Sequence, residues 1–398
     1  MSATRTVLCL ASFHKGHDFL REAKAQGWTV LLLTSKSLEG SEWPPEIDEK
    51  FYMPDVDKVW NRDDVIKGVS YLARRRRIDR IAALDDFDVE TAAALREHLR
   101  IPGMGDTTAR YFRDKLAMRL KAREAGIPVP EFTAVANYDD LRAFMQRVPG
   151  PWLLKPRLSA SALGIAKIER PDDLWPKLDA LGDEQSFHLL EKFVPGRVYH
   201  VDSLVNDREV VFAIASRYGA PPLAVMHGGG IFSTVICAHG SAEERALVDA
   251  NAKVLQAMGH VRGASHTEFI QADDGTFHFL ETSARVGGAN IMDLIETATG
   301  LNLWREWAKL ELQESAYRVS PWRRDYAGLL MSLARQEWPD LSAFADPEVV
   351  IRHHKRHHVG LVWRSPSHAR VEELQRDYLA RVQRDFHASA PPPARATD

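Results

Sequence analysis

Two cysteines, Cys9 and Cys237, are too few for a disulfide framework or a cysteine-rich zinc site in a chain of 398 residues. Such scarcity points to a reducing, cytoplasmic setting. No run approaches the ~18 consecutive apolar residues of a membrane span. The apolar part of the N-terminal MSATRTVLCLASF is too short for a signal segment with its cleavage site, and reads as a first strand. Net charge is -3 and the pI near 6.6, so no global field draws the chain to nucleic acid or to a membrane surface. Several catalytic signatures are missing as well. There is no G-x-x-x-x-G-K-[ST] loop, no G-x-S-x-G and no H-E-x-x-H. Gly103 and Gly105 begin a G-x-G-x-x-G, but Thr108 stands where the last glycine belongs, and the fragment follows a helical pattern rather than a strand. What remains is an ordinary globular composition, 45% apolar and 27% charged, with length for two or three cored domains.

The N-terminal hundred residues alternate apolar runs with helical spacing. TVLCLA (6–11), WTVLLLT (28–34) and RIAAL (80–84) read as buried strands; 17–26, 63–77 and 88–99 read as helices. Such alternation predicts a parallel α/β sheet with ligands gathered at the strand ends, near His14, Lys15 and Asp86. A helix is predicted over 107–131, with Lys115 inside it. From Trp152 the pattern changes to strands and Gly-rich turns: 152–156, 165–168, 187–194, 199–205 and 209–216, with helices at 171–181 and 243–258 and a loop at 227–230. Residues 290–312 read as helical. A last small module carries strands at 328–333 and 359–363 and a helix at 371–386, before a Pro-rich tail over 388–398 that reads as disordered.

The richest stretch is TEFIQADDGTFHFLETSARVGGA, residues 267–289. Asp-Gly between apolar runs predicts a hairpin turning at Asp273-Asp274-Gly275. Glu268 opens its first strand and Glu281 closes its second, each beside apolar neighbours. Two carboxylates near a dry interior ask for a cation, and hard oxygen donors suit Mg²⁺. Arg285 follows, then Gly287-Gly288, which permit close backbone approach to a ligand.

Taken in order, Lys115, Lys155-Pro156 with its Ser/Ala/Gly loop, Glu191-Lys192-Phe193-Val194-Pro195-Gly196, Glu268 and Glu281-Thr282-Ser283-Ala284-Arg285 form a set. The set resembles the ATP-grasp superfamily, in its carboxylate–amine ligase and biotin-carboxylase-like branch, over about residues 1–320. The resemblance implies an α/β and α+β architecture: an N-terminal parallel α/β domain (1–105), linker helices with a small α+β lid subdomain (106–197) and a C-terminal antiparallel α+β catalytic subdomain (198–320). A small module (321–387) and the tail (388–398) follow. It also implies ATP with Mg²⁺, or Mn²⁺ as the alternative ion, and a metal held by Glu268, Glu281 and Ser283. Lys155 and Arg285 would act on the transferring phosphoryl and acyl groups. Nucleotide contacts would come from Lys115, Lys155, the lid residues Ser159, Ser161 and Gly164, the hinge residues Glu191, Lys192 and Val194, and Leu280. The family's ribose-binding Glu is replaced by Val198, so His200 or Asp202 on the same strand face would substitute. Ser283 stands where the family usually has Asn.

The activity implied is ATP-dependent joining of a small carboxylic acid to an amine through an acyl phosphate, with no nucleic-acid or membrane partner and with a homodimer as the assembly. A bicarbonate-activating, biotin-carboxylase-like enzyme and a nucleotide binder without turnover are the alternatives. Arg285 has a structural alternative, an ion pair with Glu281 or Glu268. Arg217 and the loop 227–233 complete the expected substrate pocket. Arg74–Arg77 reads as a solvated helix end, and His353, His354, His357 and His358 as a polar turn rather than a zinc site.

Overall fold

The computed structural model describes residues 4–160 and 162–390. The expected lid residue Ser161 and most of the expected tail, 391–398, lie outside the described residues.

The strands Thr6–Ala11 (β1) and Thr29–Ser35 (β2), separated by helix His17–Ala25 (α1), are the two long apolar runs. Val7 and Cys9 enter one core while Leu8 and Leu10 enter another, which is why the run is continuous rather than alternating. Glu49–Met53 (β3), the small ribbon Asp55–Val56 (β4) with Val59–Trp60 (β5), helix Arg62–Ala73 (α2), strand Arg80–Ala83 (β6) and helix Val89–Leu99 (α3) complete the unit. Its sheet is parallel, in the order β3-β2-β1-β6, with β6 at an edge.

Two helices follow, Asp106–Arg110 (α4) and Lys115–Glu124 (α5). The single helix expected over 107–131 is broken because Asp114 caps the second piece, its carboxylate accepting from the amides of Leu116 and Ala117. Lys115 thus opens a helix instead of sitting within one.

Phe132–Ala134 (β7), Tyr138–Arg147 (α6), Trp152–Pro156 (β8), Ala166–Ile168 (β9), Trp175–Leu181 (α7) and His188–Lys192 (β10) form a small antiparallel sheet, β7-β10-β8-β9, with its own apolar core. The largest sheet is built from Arg197–Asn206 (β11), Glu209–Tyr218 (β12), Phe232–Ile236 (β13), Gly263–Gln271 (β14), Phe277–Ser283 (β15), Tyr326–Leu333 (β16), Val349–Lys355 (β17) and His358–Ser365 (β18). Helices Pro222–Gly228 (α8), Ala242–Met258 (α9), Ile291–Thr299 (α10), Leu303–Gln313 (α11) and His368–Asp385 (α12) accompany it. The order is β15-β14-β11-β12-β13-β16-β18-β17. Because β16 pairs with β13, the strands of the module expected over 321–387 join the central sheet. Helix α8 reaches into the loop expected over 227–230, taking His227 and Gly228 as its last residues. His353 and His354 lie on β17, and His357 and His358 at its turn, so no helical i,i+4 face exists. The first α/β unit docks on the central sheet through α1 and α11, where the rings of Phe19 and Trp307 lie 5.1 Å apart in one continuous core.

Candidate active site

The β14–β15 hairpin turns where the sequence places it. Gly275 takes φ 86°, and the amide of Ala272 bonds to the Thr276 carbonyl at 2.9 Å. The register sets Glu268 directly opposite Glu281. Like charges so placed repel, and the surroundings answer each differently. The Lys115 ammonium lies 2.7 Å from Glu281, while Tyr218 donates its hydroxyl to Glu268 at 2.8 Å. Glu281 keeps 30% of its side chain exposed and Glu268 16%. Two opposed carboxylates, both reachable, fit a hard divalent cation that completes its shell with water and phosphate oxygens. Ser283 does not join them. Its hydroxyl donates to Asp86 at 3.3 Å, so the expected third metal ligand is turned to another partner.

Asp86 comes from the loop after β6, in the first α/β unit. It also receives Arg285, whose Nε and Nη2 lie 2.7 and 2.6 Å from the same carboxylate oxygen. The sequence offered Glu281 or Glu268 as structural partners for Arg285; the partner is instead a residue 199 positions away. Burial alone would raise the Asp86 pKa, but the guanidiniums of Arg285 and Arg113 hold it below the ordinary carboxylate range. The neighbouring acids behave differently. Asp85 pairs with Lys15 at 2.5 Å, while Asp88 accepts the Ser12 amide. Burial, then the charge of Asp85, pushes Asp88 up to about 7. Folded protein therefore keeps that proton over a range where unfolded chain has lost it. This contribution to stability falls as pH rises from about 4 to 7 and is flat above. Asp88→Asn removes it. The variant should gain on wild type by roughly 2–4 kcal/mol between pH 4.5 and pH 8, read from urea midpoints at each pH. An unchanged difference between the two proteins would contradict it.

The loop after β8, the expected lid, is latched to the start of α5. Arg157 binds the Asp114 carboxylate through Nε at 3.0 Å, Arg113 donates to the Leu158 carbonyl at 2.9 Å, and Lys115 donates to the Ser159 carbonyl at 2.6 Å. Lys115 therefore bridges lid and hairpin. The Ser159 hydroxyl bonds within the loop, to the Leu163 carbonyl at 3.1 Å. Gly164, at φ 70°, lets the loop fold back on Pro156, which an added Cβ would meet at 2.9 Å.

The hinge needs correction. Glu191 is 1% exposed, and its carboxylate is taken up by Arg119 at 2.6 Å and Lys155 at 2.5 Å. It has no free edge for a nucleotide, and Lys155 is a paired cation, not a free one. Burial would raise the Glu191 pKa; the two cations hold it below the usual glutamate value. Arg119 also donates to the Leu280 carbonyl, tying β10 to β15, so that carbonyl is already engaged. Sequence reading passed over Arg119, although it lies one helical turn beyond Lys115. Lys192 spends its amide on the Glu131 carbonyl at 2.7 Å and its ammonium on the Gly150 carbonyl at 3.0 Å. Among the described residues the Val194 amide has no partner, so one hinge donor remains for a nucleotide base.

His200 and Asp202 are also corrected as ribose contacts. Both are 0% exposed. They belong to a hydrogen-bonded chain across the sheet. Thr234 meets His200 at 2.8 Å, His200 meets Asp202 at 2.7 Å, and Asp202 meets His266 at 2.9 Å. His266 in turn lies 3.7 Å from Glu268. Burial works against a charged His266, but Asp202 and Glu268 push it up to about 10, while the two imidazoles hold Asp202 well below the carboxylate range. His200, Asp202 and His266 are close enough to share a metal, yet every ligating atom already has a partner. The chain instead steadies Glu268. Gly287 closes over it: a Cβ there would lie 2.7 Å from Asp202 Oδ1 and 3.0 Å from His266 Nδ1. Its smallness serves this packing, not the approach of a ligand. Gly287→Ala should cost about 1–3 kcal/mol by overpacking, measured by chemical denaturation; a neutral result would show that the chain has room to shift.

No family model matches the chain. Among curated proteins it is similar to an L-arginine-specific L-amino acid ligase of Bacillus subtilis, 29% identical over 246 residues, covering 60% of this chain and 58% of that protein. It is also similar to an alanine–anticapsin ligase of Bacillus subtilis, 22% identical over 293 residues, covering 67% and 60%. The chain thus spans about three fifths of the length of these relatives. Among solved structures, an L-amino acid ligase from Bacillus licheniformis superposes with a TM-score of 0.75 at 18% identity, covering 97% of this chain and 99% of that one. A 2-oxoglutarate carboxylase biotin carboxylase domain from Hydrogenobacter thermophilus, in complex with MgADP and bicarbonate, gives 0.69 at 15% identity, covering 94% and 89%. The chain therefore shares its fold with these solved structures, a parallel α/β unit followed by antiparallel α+β sheets. Among the described residues no helix is long and apolar enough to cross a membrane.

Proposed function

We propose that the protein is an ATP-dependent carboxylate–amine ligase that makes an amide or peptide bond. The observation that carries this reading is the meeting of three parts at one place: the opposed Glu268 and Glu281, Lys115 bridging the lid to Glu281, and Arg285 held by Asp86 of the first unit. A carboxylate oxygen of the acid attacks the γ-phosphorus of ATP and the bond to ADP breaks. The amine then attacks the acyl carbon, phosphate leaves, and the amine nitrogen gives up its proton to solvent. Mg²⁺, or Mn²⁺, held by Glu268 and Glu281 would supply Lewis-acid stabilisation of the phosphoryl oxygens. Lys115 adds a positive charge beside them, and Arg285, fixed by Asp86, faces the negative charge that develops at the acyl centre. The lid loop, closed on α5, excludes water from an intermediate that water would destroy.

The relatives named for L-arginine, alanine and anticapsin support amino acids as the substrate class, with an α-carboxylate on one partner and an amine on the other. A homodimer and a cytoplasmic setting, where Cys9 and Cys237 stay buried thiols, belong to the same reading. A second reading, nucleotide binding without turnover, is favoured by Ser283 facing Asp86 and by Lys155 spent on Glu191. A phosphate-release screen over amino acids and small carboxylic acids, with mass detection of products, separates the two. Release that requires an acid and an amine together supports the ligase. Nucleotide binding with no release across the panel contradicts it, and dependence on bicarbonate and biotin would move the protein to the carboxylases.

A further inference from the structure

Edge strand β6 leaves a cleft between itself and the start of β14. It is a cavity of about 370 Å³. Four guanidiniums line it, from Arg80, Arg96, Arg208 and Arg262, against one carboxylate, Glu311. Two of the four are neutralised by acids outside the cavity, Arg80 by Glu314 and Arg262 by Asp207. Arg96 gives its N–H groups to the neutral carbonyls of Ile81 and Met104, so Glu311 alone answers its charge. Arg208 makes no side-chain hydrogen bond or ion pair with a described residue. One positive charge is left over.

A second observation is independent of that count. His260 lines the same cavity, is 2% exposed, and has the backbone of Ala264 as a polar neighbour, with no well-formed hydrogen bond at either ring nitrogen. A buried polar group left so costs about 1–3 kcal/mol, a cost that a ligand would remove. Burial, opposed by the backbone of Ala264, pushes the His260 pKa down to about 4, so the ring is neutral. Phe112 fixes the ring, with centroids 4.9 Å apart. The space before it is kept open by Gly263, where a Cβ would stand 3.3 Å from the imidazole and 3.4 Å from the Trp307 indole nitrogen. Ala284 forms part of the wall, between Ser283 and Arg285 in sequence.

We propose that this recess is a second ligand site, separate from the ATP cleft, for a small oxyanion bearing a phosphate or carboxylate group. Arg208 at the mouth draws the anion in, and Arg96 and His260 meet it inside. The site stands whether or not the ligase reading does, because none of its residues takes part in that chemistry.

The test is calorimetric titration of the full chain with orthophosphate and, separately, with succinate, each with and without a saturating non-hydrolysable ATP analogue and Mg²⁺. Binding of either anion at one per chain with the analogue present supports the site, and the better ligand identifies its chemistry. Arg208→Glu, an exposed change that leaves the core alone, should weaken binding by at least about tenfold. Thr108→Trp, which narrows the same cavity from α4, should weaken it too, while Lys115→Ala in the ATP cleft leaves it unchanged. No heat from either anion up to millimolar concentration overturns the proposal. So does binding that survives Arg208→Glu intact, or binding that disappears once the analogue is present.

Discussion

Glu281→Ala lowers ATP-dependent turnover by at least about 10²–10³-fold while the fold stays intact. Glu281 faces Glu268 across the hairpin and keeps part of its side chain open to solvent, so little packing is lost with it. Its removal takes away one of the two carboxylates proposed to hold the metal. It also leaves the Lys115 ammonium with only the Ser159 carbonyl, so the cation that should meet a phosphate is free to swing with the lid. Glu281→Gln separates the two effects, keeping shape and losing charge. Turnover should stay low in both variants, and the Mg²⁺ concentration for half-maximal rate should rise. Wild-type turnover in Glu281→Ala would mean that the hairpin does not hold the metal.

The second large effect is on stability. Arg119→Ala should destabilise the protein by about 3–5 kcal/mol. Arg119 and Glu191 are each 1% exposed, and Glu191 divides its charge between Arg119 and Lys155. Without Arg119 one oxygen of a buried carboxylate loses its partner, and the Leu280 carbonyl loses its donor. The consequence reaches the site, because this one guanidinium ties β10 of the small sheet to β15 of the hairpin. Arg119→Lys retains the charge but cannot hold two acceptors in the same fork geometry, so it should recover only part of the loss. Guanidinium denaturation measures both. A cost below about 1 kcal/mol for Arg119→Ala would assign Glu191 to Lys155 alone.

Much of this architecture can be read from local chemistry. The hairpin declares itself through Asp-Gly between apolar runs, and the opposition of Glu268 to Glu281 follows once the turn is placed. The buried parallel strands announce themselves by unbroken apolar runs. Long-range pairing is the part that escapes. Nothing near Arg285 indicates Asp86, because the two meet only when the first unit docks on the central sheet. Arg119 looks like any solvated helix arginine until β10 packs over it. His200 and Asp202 alternate correctly onto one strand face, but a strand pattern with polar residues cannot say that the face is dry. Taken as exposed, they suggested ribose; in place they support Glu268 through His266. The break between α4 and α5 is local and was open to reading, since Asp114 is a good capping residue just ahead of Lys115.

The central claim is that an acyl phosphate forms at this site, and one measurement bears on it most directly. With the acid substrate identified by the screen and labelled with ¹⁸O in its carboxylate, the released phosphate is analysed by mass spectrometry. Attack of the carboxylate on the γ-phosphorus, followed by displacement by the amine, carries one labelled oxygen into phosphate and yields ADP. Unlabelled phosphate, or AMP with pyrophosphate in place of ADP, would contradict it.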